Sequence, residues 1–349
     1  MQRQAGKPIV AIGVGEAHSI FLSAQGQLFS VGWNDKGQLG ATKAGAIPRT
    51  LLEASVTSLA VGQDHAVALC ANGSVYAWGG NKHGQLGLGH LQVASAPTRV
   101  PVSQRRVVAI AAGDAHTVAL LETGAIYGWG HSMGRLPQKV SPPTRFVAVG
   151  AGSCFSVALS AGGTLFAWGQ GTHGELGLGD HVTHVATPTA LAVSIAAKPV
   201  MVASVSCGAH HVLALSRCGH TFAWGHNARG QLGLGDLRDR FAPTRLRALD
   251  GLAVIALTAG LHGSVAVVSA KAALPTSVVY IWGDLGSVAM VPSESVAADA
   301  VVLGATDKRL TPTKFLQTPA ADAPTQRIRR TRLCCTRLHS CIRHIARGC

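Results

Sequence analysis

One phrase recurs six times along this chain and limits what the chain can fold into. Five copies carry a Trp-Gly pair: Trp78-Gly79, Trp129-Gly130, Trp168-Gly169, Trp224-Gly225 and Trp282-Gly283. The first copy reads Val31-Gly32-Trp33, and successive pair glycines are 47, 51, 39, 56 and 58 residues apart. Ahead of each pair stands a Gly-x-x-His corner, clean in Gly15–His18, Gly62–His65, Gly113–His116 and Gly208–His211. Phe155 takes the histidine slot in the fourth copy, and His262 is displaced by one in the sixth. The corner glycine precedes the pair glycine by 17 residues in the first five copies and by 23 in the sixth. Behind the pair comes Gly-Gln-Leu-Gly or Gly-Glu-Leu-Gly, at Gly37, Gly84, Gly174 and Gly230. Self-similarity at a period near 50 residues is the mark of a repeat architecture.

Each copy reads as short strands. His65–Cys70 is an apolar run of small residues, Asn72-Gly73 supplies a hairpin turn, and Val75–Trp78 resumes in β-favouring residues. Gly26, Gly124, Gly163 and Gly219 stand at the equivalent turn. Proline-bearing links (Ala96–Arg99, Ala242–Arg245) lead into the next apolar run. About four strands per copy predict four-stranded blades, and since a lone blade cannot bury both faces, the blades are expected to stack into a closed β-propeller. Gly251–Ala270 carries no formal charge over twenty residues, but its glycines, His262 and its register with the repeat read as two buried strands and a turn, not a membrane span.

The joint recurrence of corner, pair and Gly-Gln-Leu-Gly-Leu-Gly segment resembles the regulator of chromosome condensation repeat family over residues 9 to about 290. The resemblance implies an all-β propeller of seven blades. The third copy departs from it, since His131–Leu136 runs into Pro137 without the second signature, and no complete seventh copy is visible. Either the ring has six blades, or a degenerate seventh, drawing on Val301–Asp307, is completed by the N-terminal strand Ile9–Val14; the second is expected. The propeller is expected over residues 9–315, with a basic, poorly structured tail over 316–349.

Trp78, Trp129, Trp168, Trp224 and Trp282 are expected to pack blade on blade. For the corner histidines two readings stand open: a structural tie from a strand end to a neighbouring carbonyl, or part of a binding face. The resemblance implies the second for relatives acting on the GTPase Ran, and by position it marks Glu16, His18, Asp64, His65, Asp114, His116 and His211 as candidates for a GTPase or other partner face. Metal binding by that slot is not expected, because a ring of blades holds equivalent positions too far apart for one ion. Lys36, Lys82 with His83, Arg135 and Arg229 follow the pairs and are candidates for a basic rim, either as ordinary solvated charge or as a contact to acidic partners or DNA.

There is no Gly-x-x-x-x-Gly-Lys-Ser/Thr loop and no Gly-x-Ser-x-Gly elbow, so no bond-making site, cofactor or metal is expected. Nucleotide exchange on a GTPase needs none, because binding the nucleotide-free form more tightly is sufficient to drive release. The family's exchange factors project a β-wedge, and no such insertion is evident in this sequence. The chain carries a net charge of +14, half of it in the last 26 residues, where seven arginines accompany Cys334, Cys335, Cys341 and Cys349 without acidic residues. That tail reads as a basic arm or a disordered extension. The cysteines form no disulfide framework and no secretory signal is visible, so a monomer in the nucleus or cytoplasm is expected. The functional expectation is a protein-interaction propeller acting on a Ran-like GTPase; the alternatives are a scaffold without exchange activity, or a chromatin-binding propeller using rim and tail.

Overall fold

The computed structural model describes residues 8–269, 277–284 and 309–317. Among them there is no α-helix, only two three-residue 3-10 turns at Arg49–Leu51 and Arg247–Leu249. The strands form six four-stranded antiparallel sheets spanning residues 9–46, 56–100, 107–139, 146–191, 202–245 and 253–317. Strands follow one another in sequence order within each sheet, so every sheet is a simple meander and every sheet is one copy of the repeat. These are the blades of an all-β propeller, as the repeats require.

The second strand of a blade explains the composition. His65–Cys70, His116–Leu121, Phe155–Ser160 and His211–Ser216 are buried at all six positions, on both faces of the sheet. A strand covered on both sides shows no alternation, and only small or branched apolar residues fit between closely packed neighbours. The fourth strands alternate or lie largely exposed, as Ala94–Val100 and Gly134–Lys139 show. The turn glycines adopt the expected left-handed backbone, Gly73 at φ 87° among them.

The blades divide between two compact units. The first holds the chain through Gln170 together with Val185–Ala190. Its cores lie between consecutive blades: Ile20, Leu22 and Leu28 of the first pack on Leu59, Val61 and Trp78 of the second. Val67, Leu69 and Ala77 of the second pack on Ile110, Leu121 and Trp129 of the third. Val118 and Ile126 of the third meet Phe146, Val149 and Trp168 of the fourth. The second unit holds Gly171–His184 and the chain from Leu191, and there Leu213 and Ala223 pack on Leu257, Ala266 and Trp282.

One detail differs from the sequence reading. Ile9–Val14 pairs with His18–Ser23 as the first strand of the first blade, so it is not a contribution to a seventh. Six blades are found among the described residues, and Val301–Asp307 lies outside them, as does the chain beyond Gln317. Trp33 is not a packing residue: the slot used by the other tryptophans holds Val31, opposite Ser19, and Trp33 itself is 70% exposed. Gly251–Ala270 does form two strands, Ala253–Ala259 and Gly263–Ser269. A small hairpin that the sequence did not announce, Ser194–Ile195 with Lys198–Pro199, stands between the fourth and fifth blades. No helix among the described residues is long and apolar enough to cross a membrane.

Candidate functional site

In an antiparallel meander the first corner and the loop after the third strand fall at the same end of the sheet. The first, second and fifth blades therefore each gather their Gly-x-x-His corner and their Gly-Gln-Leu-Gly loop at one end of the sheet. The extra hairpin lies at the opposite strand ends and does not extend that face.

The corner histidines are buried. Each reaches the following blade: His65 Nε2 lies 3.1 Å from Thr117 Oγ1, His116 Nε2 2.9 Å from Ser156 Oγ, and His211 Nε2 2.8 Å from Ser264 Oγ. The hydroxyls continue the chain. Thr117 Oγ1 donates to the Gln85 carbonyl at 2.9 Å and Ser264 Oγ to the Gln231 carbonyl at 2.8 Å. Those same carbonyls accept the indole N–H of Trp129 and Trp282, each at 2.9 Å. The Gln38 carbonyl accepts from Trp78 and the Glu175 carbonyl from Trp224 in the same way. The signature loop of one blade is thus the socket for the next blade's tryptophan.

This network explains the motif spacing. The imidazole lies over its own corner glycine, so a Cβ at Gly113 would collide with the His116 ring and lie 2.5 Å from the Gly152 carbonyl of the next corner. Glycine is needed there for close approach rather than for unusual φ. At the pair glycine both reasons apply: Gly79 has φ 101°, and a Cβ would lie 2.5 Å from the Asp64 carbonyl. Corner also bonds to corner through backbone, Glu16 N to Gln63 O at 2.9 Å and Asp114 N to Ser153 O at 2.9 Å.

Two sites depart from the pattern. His18 has neither ring nitrogen hydrogen-bonded, because the hydroxyl slot of the second blade is Ala66. Trp168 has no acceptor for its indole N–H, because the third repeat lost its signature loop: the chain turns through Ser132 (φ 63°) directly into the strand Gly134–Lys139.

Burial holds His18 and His65 well below the usual imidazole range, each at about 4, against the pull of the nearby Asp64 carboxylate. The other face residues are polar and accessible. Gln63 donates to Glu16 at 2.8 Å, and Asp64 is held by Lys36 at 3.0 Å and by Gln85 at 3.2 Å. The hydrogen bond to Asp64 raises the Lys36 ammonium. Arg229 pairs with Asp284, while Lys82 and Arg135 are exposed. The four rim cations therefore do not act alike: two are neutralised by neighbours and two face solvent.

Residues the sequence reading passed over complete the face. Asn81 is buried: its Oδ1 accepts from Leu86 N, and its Nδ2 donates to the His90 and Gln92 carbonyls. Asn34 and Asn227 accept from Leu39 N and Leu232 N in the same manner. The signal was present, since asparagine stands three residues before Gly37, Gly84 and Gly230.

With blades and loop face in place, the chain is assigned to a class: it belongs to the RCC1-like domain family, whose model matches residues 1–340. Among relatives, it is 34% identical over 259 residues to the human probable E3 ubiquitin-protein ligase HERC3, covering 73% of this chain and 21% of that protein. It is 30% identical over 256 residues to the human RCC1-like G exchanging factor-like protein, covering 68% of this chain and 45% of that protein. The chain therefore spans less than half the length of either. Among solved structures it is similar to Prp20p from Saccharomyces cerevisiae, a protein described with its binding properties to Gsp1p and histones. The TM-score is 0.69, with 25% identity over 89% of this chain and 77% of that one.

Proposed function

We propose that this chain is a protein-binding propeller whose loop face engages a Ran-like small GTPase and accelerates nucleotide release. The observation that carries the reading is one carboxylate on each of three successive corners, Glu16, Asp64 and Asp114, with the corners tied together by backbone bonds and by the buried histidines beneath. His18, His65 and His116 would set the positions of these carboxylates. The relative named as an exchanging-factor-like protein and the structural likeness to a protein described as binding Gsp1p support the same reading. Exchange requires only tighter affinity for the nucleotide-free GTPase, which a preorganised polar face can supply.

Release of a fluorescent GDP analogue from a purified Ran-like GTPase tests the proposal. Acceleration at micromolar protein is expected, and Asp114→Lys should weaken it. Complex formation without acceleration would reduce the function to that of a scaffold. Neither a complex nor acceleration would overturn the reading.

A further inference from the structure

On the loop face of the second unit, three side chains from three different repeat positions converge. His173 precedes the signature loop of the fourth repeat, His226 follows the Trp-Gly pair of the fifth repeat, and Asp239 stands just before the strand Arg240–Arg245. His173 Nδ1 is 2.9 Å from Asp239 Oδ2, and His226 Nδ1 is 3.1 Å from Asp239 Oδ1. The two imidazole centroids are 4.3 Å apart. All three donor atoms lie within 4.8 Å of one another, the one such group of histidine, cysteine and carboxylate side chains among the described residues. Donors around a tetrahedral zinc ion, with bonds of about 2.0–2.2 Å, are separated by roughly 3.3–3.5 Å, so only small adjustments are needed.

We propose that His173, His226 and Asp239 bind one divalent transition-metal ion of the zinc type. A dication accepts all three donors at once, and imidazole with carboxylate is a donor set suited to zinc rather than to calcium or magnesium.

The surroundings hold the ligands as metal sites require. Asn227 N donates to Asp239 Oδ1 at 2.8 Å, fixing the carboxylate, and Arg240 is turned to Asp236 instead. His210 lies with its ring 6.5 Å from His173 and 6.4 Å from His226 and contacts the buried Glu175 at 3.3 Å. His173 and His226 are partly exposed, so an ion can enter from solvent. The molecule also carries its own control. His83 and His131 occupy the same two repeat positions one pair of blades earlier, with centroids 5.4 Å apart, but the shortened third repeat provides no counterpart of Asp239. This inference does not depend on the GTPase reading.

Cobalt titration of the full, chelator-stripped chain tests it, with zinc as competitor. One cobalt per chain is expected to give ligand-field bands of a nitrogen and oxygen site, displaced by zinc and distinct from thiolate charge transfer at the tail cysteines. His173→Ala with His226→Ala should lower affinity at least about tenfold, and Asp239→Asn about 10- to 100-fold. His83→Ala with His131→Ala should leave it unchanged. Circular dichroism checks folding, and Asp239→Asn, which keeps side-chain shape, stands in if the double variant fails to fold. Thiolate bands alone, or equal uptake by wild type and Asp239→Asn, would overturn the proposal.

Discussion

Ala66→Ser is expected to stabilise the protein, an uncommon direction for a substitution at a fully buried site. His18 is buried with both ring nitrogens unpartnered, while its counterparts His65, His116 and His211 each meet a hydroxyl on the following blade. The matching position of the second blade is Ala66, opposite Trp78 in the strand register as Thr117 is opposite Trp129. A serine there would place Oγ between His18 Nε2 and the Gln38 carbonyl, repeating the geometry of Thr117 with the Gln85 carbonyl. One buried hydrogen bond contributes about 1 kcal/mol, and relief of an unmet buried nitrogen raises the ceiling to about 3 kcal/mol. At 1 kcal/mol the melting temperature of a chain this long should rise by roughly 2 °C. Urea unfolding followed by far-ultraviolet circular dichroism, with the slope unchanged, gives the free energy. The same substitution in a His18→Ala background should give no gain. A neutral or destabilising Ala66→Ser, or an equal gain without His18, would refute the reasoning.

Two further expectations rest on the same network. Trp129→Phe and Trp168→Phe remove the same atoms from fully buried sites, but only Trp129 donates its N–H, to the Gln85 carbonyl. The first should therefore be more destabilising than the second by about 1–3 kcal/mol in the same urea assay, and equal costs would contradict the socket arrangement. Burial holds His18 and His65 neutral, with their pKa values lowered to about 4 in the folded chain from the ordinary histidine value of 6.5. Their contribution is fully present above pH 6.5. As pH falls towards 4 the unfolded chain takes up protons that the folded chain refuses, so stability should drop by about 1.4 kcal/mol per pH unit for each histidine. An unfolding midpoint that stays level between pH 6.5 and 4.5 would exclude this.

What could be read from the sequence was whatever each repeat states about itself. Trp-Gly pairs, corner glycines and Asn-Gly turns are local, so blades and hairpins followed from them. The histidine's partner was not legible, because it lies 52 residues on for His65, 40 for His116 and 53 for His211, in another repeat. The hairpin Ser194–Pro199 escaped notice for a different reason. Its turn is Ala196-Ala197, at φ 47° and 63°, where the usual glycine or asparagine signal is missing. The rim cations were visible as charges, but that Asp64 and Asp284 neutralise two of them depends on neighbouring blades. The grouping of His173, His226 and Asp239 was not legible because each occupies a different slot of the repeat and they meet only across neighbouring blades.

Because the signature loop of one blade seats the indole of its successor, the functional module is offset by half a repeat from the one the motif spells out. Decay in the third copy leaves its mark on Trp168 in the fourth. Variants in chains of this kind should accordingly be sorted by the seam they touch, since a lesion and its symptom fall on opposite sides of it.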